Sequence, residues 1–112
     1  MSKPVISDEP MYQLLREGDI KTFNEKKAAG EAVNMGGFDF RNMNLQGMDA
    51  SGLDLSSCYF RKTDLRGLDL SQANLQGASI HDARISGVLF PAQLTAEEIT
   101  LSLDHGVRMR YQ

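Results

Sequence analysis

Tryptophan is absent from the 112 residues, and the aromatic set is three tyrosines and five phenylalanines. Any core must therefore be built mainly from small and medium aliphatic side chains. A chain of this length makes one small domain. One cysteine, Cys58, excludes an intramolecular disulfide and agrees with a reducing compartment. Two histidines, His81 and His105, stand with that cysteine at no metal-ligand spacing. No glycine-rich phosphate loop is present, and no cofactor is expected. A basic excess is missing too: 12 Lys and Arg stand against 15 Asp and Glu, a net charge of −3. Direct nucleic-acid binding is not expected from such a balance. No stretch approaches the ~20 apolar residues that span a membrane. The opening MSKPVISDEP lacks the apolar run of a signal peptide, so the expected location is the cytoplasm.

What the chain does have is a period of five. From Val33 it divides into VNMGG, FDFRN, MNLQG, MDASG, LDLSS, CYFRK, TDLRG, LDLSQ, ANLQG, ASIHD, ARISG and VLFPA, ending at Ala92. Position two is Asp or Asn in eight of the twelve blocks. Position three is apolar throughout: Met35, Phe40, Leu45, Ala50, Leu55, Phe60, Leu65, Leu70, Leu75, Ile80, Ile85 and Phe90. Positions one and three share a face if each block is extended, because side chains alternate there with period two. Five is odd, so the chain must turn at each boundary to face the next pair inward. Gly, Ser and Asn at positions four and five suit such corners. A chain that turns the same way at every fifth residue closes into coils and stacks.

This pattern resembles the pentapeptide-repeat family, whose motif is roughly A(D/N)LXX. ANLQG at 73–77 and TDLRG at 63–67 match it closely, and the resemblance covers residues 33–92. It implies an all-β fold, a right-handed quadrilateral parallel β-helix with four blocks per coil. Twelve blocks then make about three coils, a solenoid ~14 Å tall at ~4.8 Å per coil. The expected organisation is an N-terminal helical cap over 1–32, the solenoid over 33–92, and a C-terminal capping helix and tail over 93–112. The family also implies a bacterial source.

Open solenoid ends need covers. MYQLL at 11–15 carries a helical apolar set that Gly18 stops, and Asp19 caps a second helix, IKTFNEKKAA, that Gly30 ends. A DNA-reading helix pair is disfavoured by the near charge balance of this segment. At the other end, Thr95 and Glu98 form a capping box, with Leu94 stapled to Ile99. The helix runs about 96–105 to a Gly106 stop. Leu94, Ile99, Leu101 and Leu103 form either the surface that plugs the last coil or, as the resemblance implies, a homodimer contact. Monomer and homodimer both stay open.

Chemistry is sparse. Cys58 at position one points inward and reads as a small buried apolar residue. His81 and Asp82 point outward and lack the concave pocket that acid–base catalysis needs. The Asp and Asn at position two favour local hydrogen bonds to backbone over a phosphate-like stripe, since residues 33–92 hold six acidic and five basic groups. One outward cluster stands out: Arg41, Arg61 and His81 repeat at position four of one side, with Lys62 and Tyr59 beside them. A basic face of this kind docks an acidic partner surface. The expected function is a non-enzymatic protein–protein interaction or scaffold module. The alternative implied by the resemblance is a DNA-mimicking binder of type II topoisomerase (DNA gyrase) that changes quinolone sensitivity.

Overall fold

The computed structural model describes residues 3–112, so the first two residues of the 1–32 segment lie outside it. Its regular elements are three helices. Helix α1 (Pro10–Arg16) opens on a proline, whose missing N–H is no loss there. Glu9 caps it, its carboxylate accepting from the Met11 and Tyr12 N–H groups at 3.2 Å. Helix α2 (Ile20–Ala28) is capped by Asp19, which accepts from Thr22 N–H at 3.1 Å. Helix α3 (Ala96–His105) is capped by Thr95 and stopped by Gly106, whose φ of 74° is left-handed.

The all-β expectation, a right-handed quadrilateral parallel β-helix, is corrected here. Among the described residues no strand forms, and the pairing consists of isolated parallel bridges. The reason lies in the block length. A five-residue side pairs with the neighbouring coil through at most one bridging residue before the next corner begins, so consecutive pairs never accumulate into a strand. Asn44 bridges Asp64, which bridges Arg84; Asp39 bridges Tyr59, which bridges Ser79. The register between neighbouring coils is therefore twenty residues. Backbone bonds such as Phe60 N–H to Ser79 O and Leu65 N–H to Arg84 O, at 2.8 and 2.9 Å, tie one coil to the next.

The corner falls on position five. Gly47, Gly67 and Gly87 are left-handed there, but so are Asn42, Ser57, Lys62 and Asp82, with φ of 56–63°. Position two prepares the turn: the side-chain oxygens of Asp39, Asn44, Asp49, Asp54, Asp64, Asp69 and Asn74 each accept the N–H two residues on. This is the local bond expected of that residue type. Asp64 also holds Arg66 at 2.7 Å on the exposed surface. Asparagine makes the same turn bond at positions 44 and 74, and exposed ion pairs contribute little. Asp64→Asn should thus lower the melting temperature by less than about 4 °C. A larger drop in a thermal melt would show that the Arg66 pair matters to folding.

Position-three side chains fill the interior. Met35, Phe40, Leu45, Leu55, Leu65, Leu75 and Ile80 have no exposed surface, and the Phe40 and Phe60 rings stack at 5.2 Å. Two polar side chains at position one are buried with them. Thr63 Oγ1 donates to Phe40 O at 2.5 Å, and Cys58 Sγ donates to Met35 O at 2.9 Å. Burial pushes the Cys58 thiol up to about 12. A thiolate is the reactive form, so a maleimide should leave native protein unlabelled and label it fully in denaturant. Mass spectrometry decides it, and rapid native labelling would contradict the inward placement.

Both ends are sealed by backbone mimicry. Val5 pairs beneath the first coil, donating to Gly37 O and accepting from Asp39 N–H. Asn24 does the same with its side chain, giving Nδ2–H to Gly47 O and accepting Asp49 N–H, both at 2.9 Å. Met11, Tyr12, Leu15 and Phe23 are buried under this end, and the Tyr12 hydroxyl donates to Asp39 O at 2.5 Å. Above the last coil, Ser102 Oγ accepts Ile80 N–H at 2.9 Å and Leu103 O accepts Asp82 N–H at 3.0 Å. The tail after α3 continues the cover: Met109 bonds Gly77 and Ala78, and the Tyr111 hydroxyl accepts Leu75 N–H.

Two details of the C-terminal expectation differ. Leu101 lies on the exposed side of α3, while Glu98 and Ser102 are its buried residues. Positions 99, 101 and 103 share a face in a strand but not in a helix, whose inward set here is 98, 99, 102 and 103. Leu94 is buried, and Ile99 and Leu103 are half-buried against the core. The capping box is half made. Thr95 accepts Glu98 N–H, but the Glu98 carboxylate turns away to the backbone N–H and guanidinium of Arg110.

A basic cleft between the repeat face and the C-terminal tail

The side of the stack that bridges through Asp39, Tyr59 and Ser79 carries Arg41, Arg61 and His81 two residues further on. Asn42 N–H to Arg61 O and Lys62 N–H to His81 O, at 2.9 and 3.0 Å, hold the three in register. Their spacing along the stack is ~4.8 Å per coil. The C-terminal cover passes beside this face. Together they enclose a cleft of about 360 Å³ lined by Arg41, Tyr59, Arg61, Ser79, His81, His105, Gly106 and Arg108.

Each wall residue is placed by something local. Arg41 is held by Asp39, whose carboxylate takes its Nε–H and Nη2–H at 2.9 Å. That bond keeps the nearly buried Asp39 carboxyl below its ordinary range. A depressed carboxyl stabilises the fold above its unfolded pKa of about 4. The contribution is lost as pH falls through the lower folded value. Melting temperature should therefore drop below about pH 4, and Asp39→Asn should flatten part of that fall. An unchanged acid profile in the variant would show that the pair contributes nothing.

Arg108 lies over the Tyr59 ring, its guanidinium carbon 4.9 Å from the centroid, and donates to Gly77 O and to the Tyr59 hydroxyl. Gly106 packs on His81, where an added Cβ would sit 3.4 Å from the ring, and Ser79 Oγ donates to Gly106 O. A side chain at 106 would meet both the left-handed φ and this contact. The His81 ring is half-buried, with Nε2 3.4 Å from Asp82 and Nδ1 without a hydrogen-bond partner among the described residues. Arg61 is exposed and forms no ion pair among the described residues.

Arg41, Tyr59, Arg61 and His81 are thus brought together as the repeat register requires. Lys62 is not. It occupies a left-handed corner and lines a separate recess with Ile6, Arg16, Asp39, Asn42 and the two arginines. His105 and Arg108 complete the cleft and carry no sequence signal, since nothing periodic links the tail to Tyr59. Leu94, Ile99 and Leu103 lie in or against the core, whereas Leu101 is exposed elsewhere. Among the described residues no His, Cys, Asp and Glu cluster has metal-binding geometry, and no helix is long and apolar enough to cross a membrane.

The family model for pentapeptide repeats matches residues 54–90 in eight copies. Coils are nonetheless paired from Asp39 onward. The earlier blocks put Phe38, Met43 and Met48 where the motif prefers alanine. Neither the curated proteins nor the solved structures contain a significant match to the chain. Repeats of this family are protein-interaction modules and generally non-enzymatic.

Proposed function

We propose that this pentapeptide-repeat protein is a non-enzymatic docking module whose basic cleft receives an acidic surface of a protein partner. One observation carries the reading. In a chain of net charge −3, three arginines and two histidines line a single cleft. Such a concentrated field orients a partner and speeds its approach. The walls are held in place before binding, by Asp39 on Arg41 and by Tyr59 under Arg108. Less ordering entropy is then lost on association.

The DNA-mimic alternative needs a continuous acidic stripe. Here Asp64 sits between Asn44 and Arg84, and Asp54 beside Asn74. The position-two oxygens are also committed to their own turns. The experiment is a pull-down from host lysate with the native chain, an Arg41→Glu/Arg61→Glu variant and an Arg66→Glu control from another side. A partner captured by the native chain and the control, but lost with the double variant, supports docking at the cleft. Partners held equally by all three overturn it, and a topoisomerase among them would favour the alternative.

A further inference from the structure

Resting on that docking reading, we propose that the partner presents an extended acidic peptide segment, which fills the cleft and a second basic recess beside the N-terminal cap. The recess has a volume of about 330 Å³. Arg41 and Arg61 line both hollows and so form the ridge between them. Ile6, Arg16 and Lys62 belong to the recess alone. Arg16, Arg61 and Lys62 are exposed and form no ion pair among the described residues. Arg16 lies 5.8 Å from the centre of the Tyr12 ring and donates to its hydroxyl at 3.3 Å. Among the described residues the acid in the lining is Asp39, nearly buried and already held by Arg41. Asp8 and Glu17, near in sequence to Ile6 and Arg16, do not line the recess. Asp82, one coil above Lys62, turns to His81 instead.

The recess thus sets cations outside any ion pair beside an apolar side chain, Ile6, which is 62% exposed. That combination is complementary to carboxylates next to an apolar residue. Height along the stack decides the form of the segment. Val5 pairs beneath the first coil, and the tail covers the last. About four steps of ~4.8 Å separate the Ile6 level from the tail, ~19 Å in all. An extended segment covers that in about six residues at ~3.3 Å each, with alternate side chains ~7 Å apart on one face. Side chains of one strand can therefore enter both hollows. A convex folded surface enters one and is held off the other by the Arg41–Arg61 ridge. A nucleic-acid strand fits poorly, because the chain carries a net charge of −3 and no aromatic ring lines the recess for a base to stack on.

The test is an NMR titration of the full chain with a decapeptide that has leucine at each end and glutamate alternating with serine between. Its two halves, its glutamine version and an oligothymidylate of equal charge are the comparisons. The decapeptide should shift the Gly106 amide of the cleft and the Ile6 and Lys62 amides of the recess with one saturation curve. Each half should bind at least about tenfold more weakly, since one molecule then fills only one hollow. Lys62→Gln combined with Ile6→Ser should weaken the decapeptide by about tenfold with an unchanged melting temperature. Arg66→Gln should leave its affinity unchanged, and the glutamine version should not bind. Shifts confined to the cleft, or full affinity in the double variant, overturn the two-hollow segment and leave docking at the cleft standing. Halves that bind as tightly as the whole overturn it as well. Oligothymidylate binding as tightly as the decapeptide overturns the assignment to a peptide, and glutamine-peptide binding overturns the need for acidic residues. No saturable shift in either hollow overturns the linear segment, and the lysate experiment with Arg41→Glu/Arg61→Glu then decides the docking reading by itself.

Discussion

Leu65→Asp will abolish the cooperative thermal melt. Leu65 has no exposed surface, and its N–H is committed to Arg84 O in the coil above. Its side chain lies in the column of Leu45 and Ile85, within the apolar core. A carboxylate there has no cation to pair with. It must stay charged in a dry column or take up a proton, and either course costs several kcal/mol. Small domains have only about 5–15 kcal/mol to lose. Leu65→Ala is the milder comparison, expected to cost about 2–5 kcal/mol with the melt still cooperative. Circular dichroism of both variants decides the matter. A wild-type melt in Leu65→Asp would place residue 65 on the outside and invalidate the coil register.

Removing residues 94–112 will make the protein aggregate. That segment covers the upper end of the stack with Leu94 and Met109, which are buried, and with Ile99 and Leu103 packed on the core. It also supplies acceptors for the N–H groups of Leu75, Gly77, Ile80 and Asp82. Its loss leaves an apolar surface rimmed by unpaired donors, a template for edge-to-edge association. Size-exclusion chromatography with light scattering should find large species at concentrations where the whole chain is uniform. A monomeric, fully folded truncation would mean that the last coil needs no cover.

The inward residues were legible because the period of five repeats one apolar column at position three, from Phe40 to Phe60 to Ile80. The helix ends were legible at Asp19 and Gly106, where a cap or a left-handed stop has a strong residue preference. Strand content was not. The motif shows which residues face inward, but not that a corner comes too soon for two consecutive pairs. The residue type of Lys62 gives no sign of its left-handed corner, which the coils on either side impose. Leu101 has the spacing of a strand face with Ile99 and Leu103, which a helix does not preserve. Glu98 stands at capping-box spacing from Thr95, while the partner of its carboxylate, Arg110, lies beyond the helix. The cleft was half visible. Arg41, Arg61 and His81 follow from the register, whereas Arg108 reaches Tyr59 across 49 positions of sequence.

That last contact sets the length of the stack. Repeats of this kind lengthen by adding a coil of twenty residues, and each coil raises the cover by ~4.8 Å. A coil inserted below α3 would lift Arg108 off the Tyr59 ring and His105 away from Arg61, opening the cleft. One removed there would drive the tail into the arginine face. The protein is therefore free to vary in the sides of the stack away from the cleft, but not in the number of its coils.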